Sequence, residues 1–113
     1  MRRAVILRAA VWLLALPTLA AQGALAGEAT AGQALFQRHC GICHLKGGTG
    51  TFMLGRRLGE QNALLETRKD LAGDYVRAAV RNGIQSMPRF SRVELPDADL
   101  ALIVQYLAGA QPR

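Results

Sequence analysis

The sequence predicts an all-α fold of three main helices joined by short turns. Two observations carry this. No segment alternates apolar and polar residues with the period of two that a half-buried strand requires. Leu100, Ile103, Val104 and Leu107 fall instead at i, i+3, i+4 and i+7, the stripe that buries one face of a helix.

The chain has 113 residues, the size of one domain. Its first segment has the pattern of an export signal. Arg2, Arg3 and Arg8 form a positive start, a mainly apolar run follows to Ala21, and Ala24-Leu25-Ala26 has the small-x-small form of a cleavage site. A retained membrane anchor is the competing reading, but the run is shorter than the ~20 apolar residues that span a bilayer. The expected organisation is a signal peptide over 1–26 and a domain over 27–113, with a cut nearer Ala21 as the alternative. The implied compartment is the periplasm, with the membrane involved only through the export signal.

The first helix is expected over 29–40, with Leu35 and Phe36 on its apolar face and Gln33, Gln37 and Arg38 in water. Gly47, Gly48 and Gly50 argue against a stable helix in the next segment. Leu54, Leu58, Leu64 and Leu65 are expected in short turns. A second helix is expected over 74–82, where Tyr75, Val76, Ala79 and Val80 recur at helical spacing. Asp74 suits its positive end, and Gly83 closes it. The third is expected over 96–108, with Pro96, Asp97 and Asp99 at its start and Gly109 at its end.

The formal charge is +6, but Arg2, Arg3 and Arg8 supply three of the 14 basic side chains, so the domain itself carries +3. No aromatic-rich basic stripe accompanies this excess, which argues against nucleic-acid binding. Arg56-Arg57 and Arg68-Lys69 read as solvated surface. Their functional alternative is docking to an acidic partner.

The residues that carry chemistry are Cys40-Gly41-Ile42-Cys43-His44. This is C-x-x-C-H, the attachment signal for c-type haem. Two thiols add to the two porphyrin vinyl groups as thioethers, and the adjacent imidazole meets the iron from one face. The imidazole's other nitrogen is expected to donate to a carbonyl of the following loop. A thioredoxin-like pair would want a βαβ setting, and a zinc site would want more ligands than His39 can add. A plain disulfide leaves His44 unexplained.

Met87-Pro88 is the second signal. A thioether on the far side of the iron raises the reduction potential, and Pro88 stiffens a loop able to hold one there. Met53 is expected to pack and His39 to lie at the surface. The expected cofactor-binding residues are Cys40, Cys43, His44 and Met87, with His44 and Met87 on the metal and no catalytic residue. Leu54, Leu58, Val80, Ile84, Phe90 and Val104 are expected around the haem. Arg56, Arg57, Gln85 and Arg92 are expected at its propionates or in solvent.

The chain resembles the class I cytochromes c, small monohaem electron carriers. The resemblance rests on Gly32 and Phe36, the C-x-x-C-H run, the segment from Gly83 to Phe90 and that from Leu100 to Leu107. It implies a small cytochrome c fold wrapping one covalent haem c, with the first and last helices crossing near Gly32 and Phe36 opposite Tyr106 or Leu107. Many members place a proline soon after the motif. Here the loop reads Gly48-Thr49-Gly50-Thr51-Phe52-Met53-Leu54 without one.

With Leu54-Gly55-Arg56-Arg57-Leu58 in that loop, the chain also looks faintly like the cytochrome subunits that accompany periplasmic flavoprotein dehydrogenases. The resemblance implies a carrier or electron-accepting subunit rather than an enzyme. It implies a donor dehydrogenase and an acceptor oxidase or cytochrome as partners, and a monomer or a subunit of a hetero-oligomer. The competing function is a haem sensor or ligand-binding haem protein with a labile sixth ligand.

Overall fold

The computed structural model describes residues 19–109; the expected signal peptide lies outside them as far as residue 18. Among the described residues the fold is all helical, with four α-helices, two short 3₁₀ turns and no strand beyond one isolated bridge.

Helix α1 spans Leu19–His44. It starts ten residues before the expected boundary, since alanine-rich sequence favours helix, and it continues through the whole C-x-x-C-H run. The Leu45 amide still reaches the Gly41 carbonyl, at 3.0 Å, so the last turn stays closed. Among the described residues no helix is long and apolar enough to cross a membrane.

Helix α2, Thr49–Leu58, corrects the expectation of short turns. Glycine weakens a helix by only about 1 kcal/mol per residue, which packing can override. Gly55 is buried here, and a Cβ on it would stand 2.7 Å from Glu60 Oε1. The 3₁₀ turns Glu60–Asn62 and Leu65–Thr67 follow. Helix α3 spans Gly73–Asn82 and α4 spans Asp97–Gly109, each within a residue of its expected limits. Asp97 and Asp99 lie in the first turn of α4, where the helix dipole favours negative charge.

The core lies where α1, α3 and α4 meet. Phe36 of α1 is fully buried there with Val76 and Val80 of α3 and Leu100, Ile103, Val104 and Leu107 of α4. Leu71 and Leu95, in the segments before α3 and α4, complete it. Tyr75 departs from the expected buried stripe and is 56% exposed. Helices α1 and α4 cross at Gly32, where a Cβ would run into the Leu102 carbonyl and stand 2.8 Å from Tyr106 Cβ. The Phe36 and Tyr106 rings pack at a centroid distance of 6.0 Å beside that crossing. The crossing holds the end of α1, and so the C-x-x-C-H turn, against the body of the protein.

Candidate haem site

Helical geometry does the first part of the assembly. Cys40, Cys43 and His44 stand at i, i+3 and i+4 on the last turn of α1, so all three side chains share one face. That face borders a cavity of about 710 Å³, within the usual range for a cofactor pocket. Phe36, Leu65, Leu71, Val76, Val80 and Ile103 contribute to a mainly apolar wall.

Met87 reaches the same cavity from the segment after α3. Gly83, at φ +75°, ends α3 with its amide on the Ala79 carbonyl at 2.8 Å. Ile84 and Met87 then exchange two backbone hydrogen bonds, of 3.1 and 2.9 Å, across Gln85 and Ser86. Gln85 accepts a left-handed φ of +53° to close this turn. A Cβ on Gly83 would stand 2.7 Å from the Met87 carbonyl, so glycine is needed for the close approach as well as for its φ. Met87 is thus held by paired backbone, a stronger constraint than the stiffness of Pro88 alone.

His44 Nδ1 is buried and has no hydrogen-bond partner. This corrects the expectation that the ring donates to a carbonyl of the following loop. That nitrogen faces Gly50 instead: a Cβ there would lie 3.2 Å from Nδ1. The carbonyl of Leu45 is taken by the Thr51 hydroxyl at 2.9 Å. Burial lowers the His44 pKa, which favours the neutral, ligating form of imidazole. Burial, followed by the neighbouring Cys43, raises the Cys40 thiol to about 11. The two cysteines carry no disulfide.

Several expectations about the wall need correction. Leu54, Val80 and Ile84 line the cavity, while Leu58, Phe90 and Val104 do not. Leu58 is exposed on the far part of α2, Phe90 packs beside the core and lines a separate surface pocket with Arg81, and Val104 is committed to the core. Arg56, Arg57 and Gln85 border the cavity, but Arg92 does not and pairs with Asp97 at 2.8 Å. Met53 lines the cavity while remaining 52% exposed. His39 is half-buried and lies outside the cavity wall.

Arg68 is the residue that sequence reasoning missed. It was expected at the solvated surface, yet its side chain is only 11% exposed and lines the cavity. Asp70 holds the guanidinium by two hydrogen bonds, Nε to Oδ1 at 2.8 Å and Nη2 to Oδ2 at 2.5 Å. The Arg-x-Asp spacing was the available signal. Tyr75, on the exposed side of α3, also borders the cavity.

These features fit a haem covalently held: paired free thiols, an imidazole with a buried unpaired nitrogen, and an apolar chamber of suitable size with a few cations at its wall. The family model described as cytochrome C oxidase, cbb3-type, subunit III matches residues 27–107. No curated protein and no solved structure gave a match. The match covers most of the chain and includes the C-x-x-C-H motif and the helices around the cavity, so the chain belongs to this family of c-type cytochrome domains: it is a small all-α monohaem cytochrome with covalently bound haem c, an electron-transfer protein that works with redox partner proteins.

Proposed function

We propose that the protein is an exported electron carrier, or the electron-accepting subunit of a dehydrogenase, with His44 and Met87 as the two axial ligands of its haem iron. The convergence of the C-x-x-C-H face of α1 and the Met87 turn on one cavity carries this reading. Bound haem supplies a one-electron ferric–ferrous couple. The chain's own residues do the rest. Cys40 and Cys43 fasten the cofactor to α1, and neutral His44 offers a lone pair to the metal. The Ile84–Met87 turn presents a thioether, and the apolar wall keeps water away, which favours the less charged ferrous state. Held by His44 and Met87, the iron would have no position left for a substrate, which suits a carrier of electrons.

The signal peptide over 1–26 and a periplasmic location belong to the same proposal. A donor dehydrogenase and an acceptor oxidase or cytochrome complete the electron path. Cell fractionation and the N-terminal residue of the exported protein test the compartment. The test of ligation is spectroscopic. Exported protein should weigh one porphyrin more than its bare chain and keep that mass when denatured. Its ferric spectrum should show thioether ligation, and the ferrous form should not bind carbon monoxide. Met87→Ala should keep the haem, bind carbon monoxide and shift the potential down, whereas Met53→Leu should keep the haem and the thioether spectrum and stay closed to carbon monoxide. Rapid carbon monoxide binding by the native protein would instead support a sensor with a labile sixth ligand.

A further inference from the structure

We propose that Arg68 is the anchor of a haem propionate, its guanidinium held at the cavity wall by Asp70. The inference rests on the haem-binding reading of the cavity and adds the side chain that receives the cofactor's charge. Haem brings two carboxylates into a mainly apolar chamber. They sit on the edge of the macrocycle away from the vinyl groups, which Cys40 and Cys43 tie to α1. The carboxylates therefore fall against elements other than the end of α1. A carboxylate placed in such a wall is costly unless a cation or hydrogen-bond donors meet it.

Three arginines border the cavity: Arg56, Arg57 and Arg68. The first two are exposed on α2, whereas the Arg68 side chain is nearly buried. Arginine has five N–H donors. Asp70 takes two of them, one from Nε and one from Nη2. Asp70 is 66% exposed, and an ion pair with a partner in water contributes little to stability. That pair alone does not account for a guanidinium drawn into the wall of a chamber. It does orient the fork, and a planar guanidinium with five donors is suited to meet a second carboxylate as well. Tyr75 shares the cavity wall with Arg68.

The test uses the matured, haem-loaded protein and three variants: Arg68→Gln, Arg68→Lys and Asp70→Asn. Mass after denaturation first establishes that haem is attached. The reduction potential is then followed across the neutral pH range. Arg68 pairs with Asp70, and the other charged or titratable side chains on the cavity wall are Tyr75, Arg56, Arg57 and the haem-binding Cys40, Cys43 and His44. In Arg68→Gln the propionate loses its cation, so its charge favours the ferric state and the potential falls. Its proton affinity rises, and the potential becomes more dependent on pH. Arg68→Lys restores part of the potential because charge returns without the fork. Asp70→Asn moves the potential up, opposite to Arg68→Gln, because a nearby negative charge is removed. Full haem loading with an unchanged potential and pH profile in Arg68→Gln overturns the assignment. If Arg68→Gln does not mature, Asp70→Asn decides by the same measurement: a rise supports the anchor and no change overturns it. Absence of attached haem in the unaltered protein overturns the cavity reading, and this inference with it.

Discussion

Tyr106 of α4 donates its phenolic hydrogen to the Glu66 carboxylate in the second 3₁₀ turn, joining positions 40 residues apart. Leu65, beside Glu66, lines the haem cavity, and the Tyr106 ring packs on Phe36 beside the helix crossing. One side chain therefore ties the cavity wall to the core.

Tyr106→Phe should remove this tie while keeping the ring. A hydrogen bond to a charged group contributes about 1.5–3 kcal/mol, and a loss of that order is expected in denaturant unfolding of the haem-loaded protein. Burial first, and Glu66 second, raise the Tyr106 phenol from 10.0 to about 12. Below pH 10.0 both folded and unfolded chains hold the proton, and the stabilisation is complete. As pH rises from 10.0 through about 12 the unfolded chain loses it first, so stability falls. Tyr106→Phe should flatten this alkaline decline. An unchanged alkaline limb would show that another group causes it.

Gly32→Ala separates helix propensity from packing. Propensity alone favours alanine by about 1 kcal/mol. The added Cβ would meet the Leu102 carbonyl and lie 2.8 Å from Tyr106 Cβ, however, so α1 and α4 must move apart. Overpacking of this kind costs about 1–3 kcal/mol, and a net loss of stability is expected with haem still attached. A gain in the unfolding midpoint would contradict the close crossing.

Arg81→Met should loosen the segment that follows Met87. Arg81 donates to the carbonyls of Phe90 at 3.1 Å and Leu95 at 2.9 Å, and to Asp97 at 2.7 Å. Leaving these acceptors unmet is expected to cost about 2–4 kcal/mol. Faster hydrogen exchange should follow at the Phe90 and Leu95 amides, which bond to Val80 and Ser91. Exchange unchanged at both would mean that the arginine does not brace the segment.

Asp97 should contribute to acid sensitivity. The hydrogen bonds from Arg92 and then Arg81 hold its carboxyl below the ordinary value of 3.8. Its contribution is present above pH 3.8 and is lost as pH falls through the lower folded value. Asp97→Asn should therefore make stability less dependent on pH at the acid end. It should have little effect on the reduction potential, since Asp97 does not line the cavity.

Gly83→Ala should disturb the Met87 turn in particular. The position has φ +75° and ψ 163°, a region nearly restricted to glycine that costs an L-residue roughly 1–3 kcal/mol, and the new Cβ would press on the Met87 carbonyl at 2.7 Å. Under the proposed Met87 ligation, weakened thioether ligation in the ferric spectrum is expected, with covalent haem retained. A native spectrum would show that the turn tolerates the side chain.

Local spacing in the sequence determined much of this protein. The i, i+3, i+4 placement of Cys40, Cys43 and His44 encodes a haem-attaching face, and the stripe from Leu100 to Leu107 encodes the buried side of α4, because both depend only on the period of one helix. Tertiary structure decided what local period does not contain. It made a helix of the glycine-bearing 49–58 segment, left His44 Nδ1 beside Gly50 without a carbonyl, and turned Arg68 from an apparent surface charge into part of the cavity wall. Each of these depends on segments distant in the chain meeting once α1 packs on α4. Burial and partner choice are set by that meeting, and a residue's neighbours in sequence do not report it.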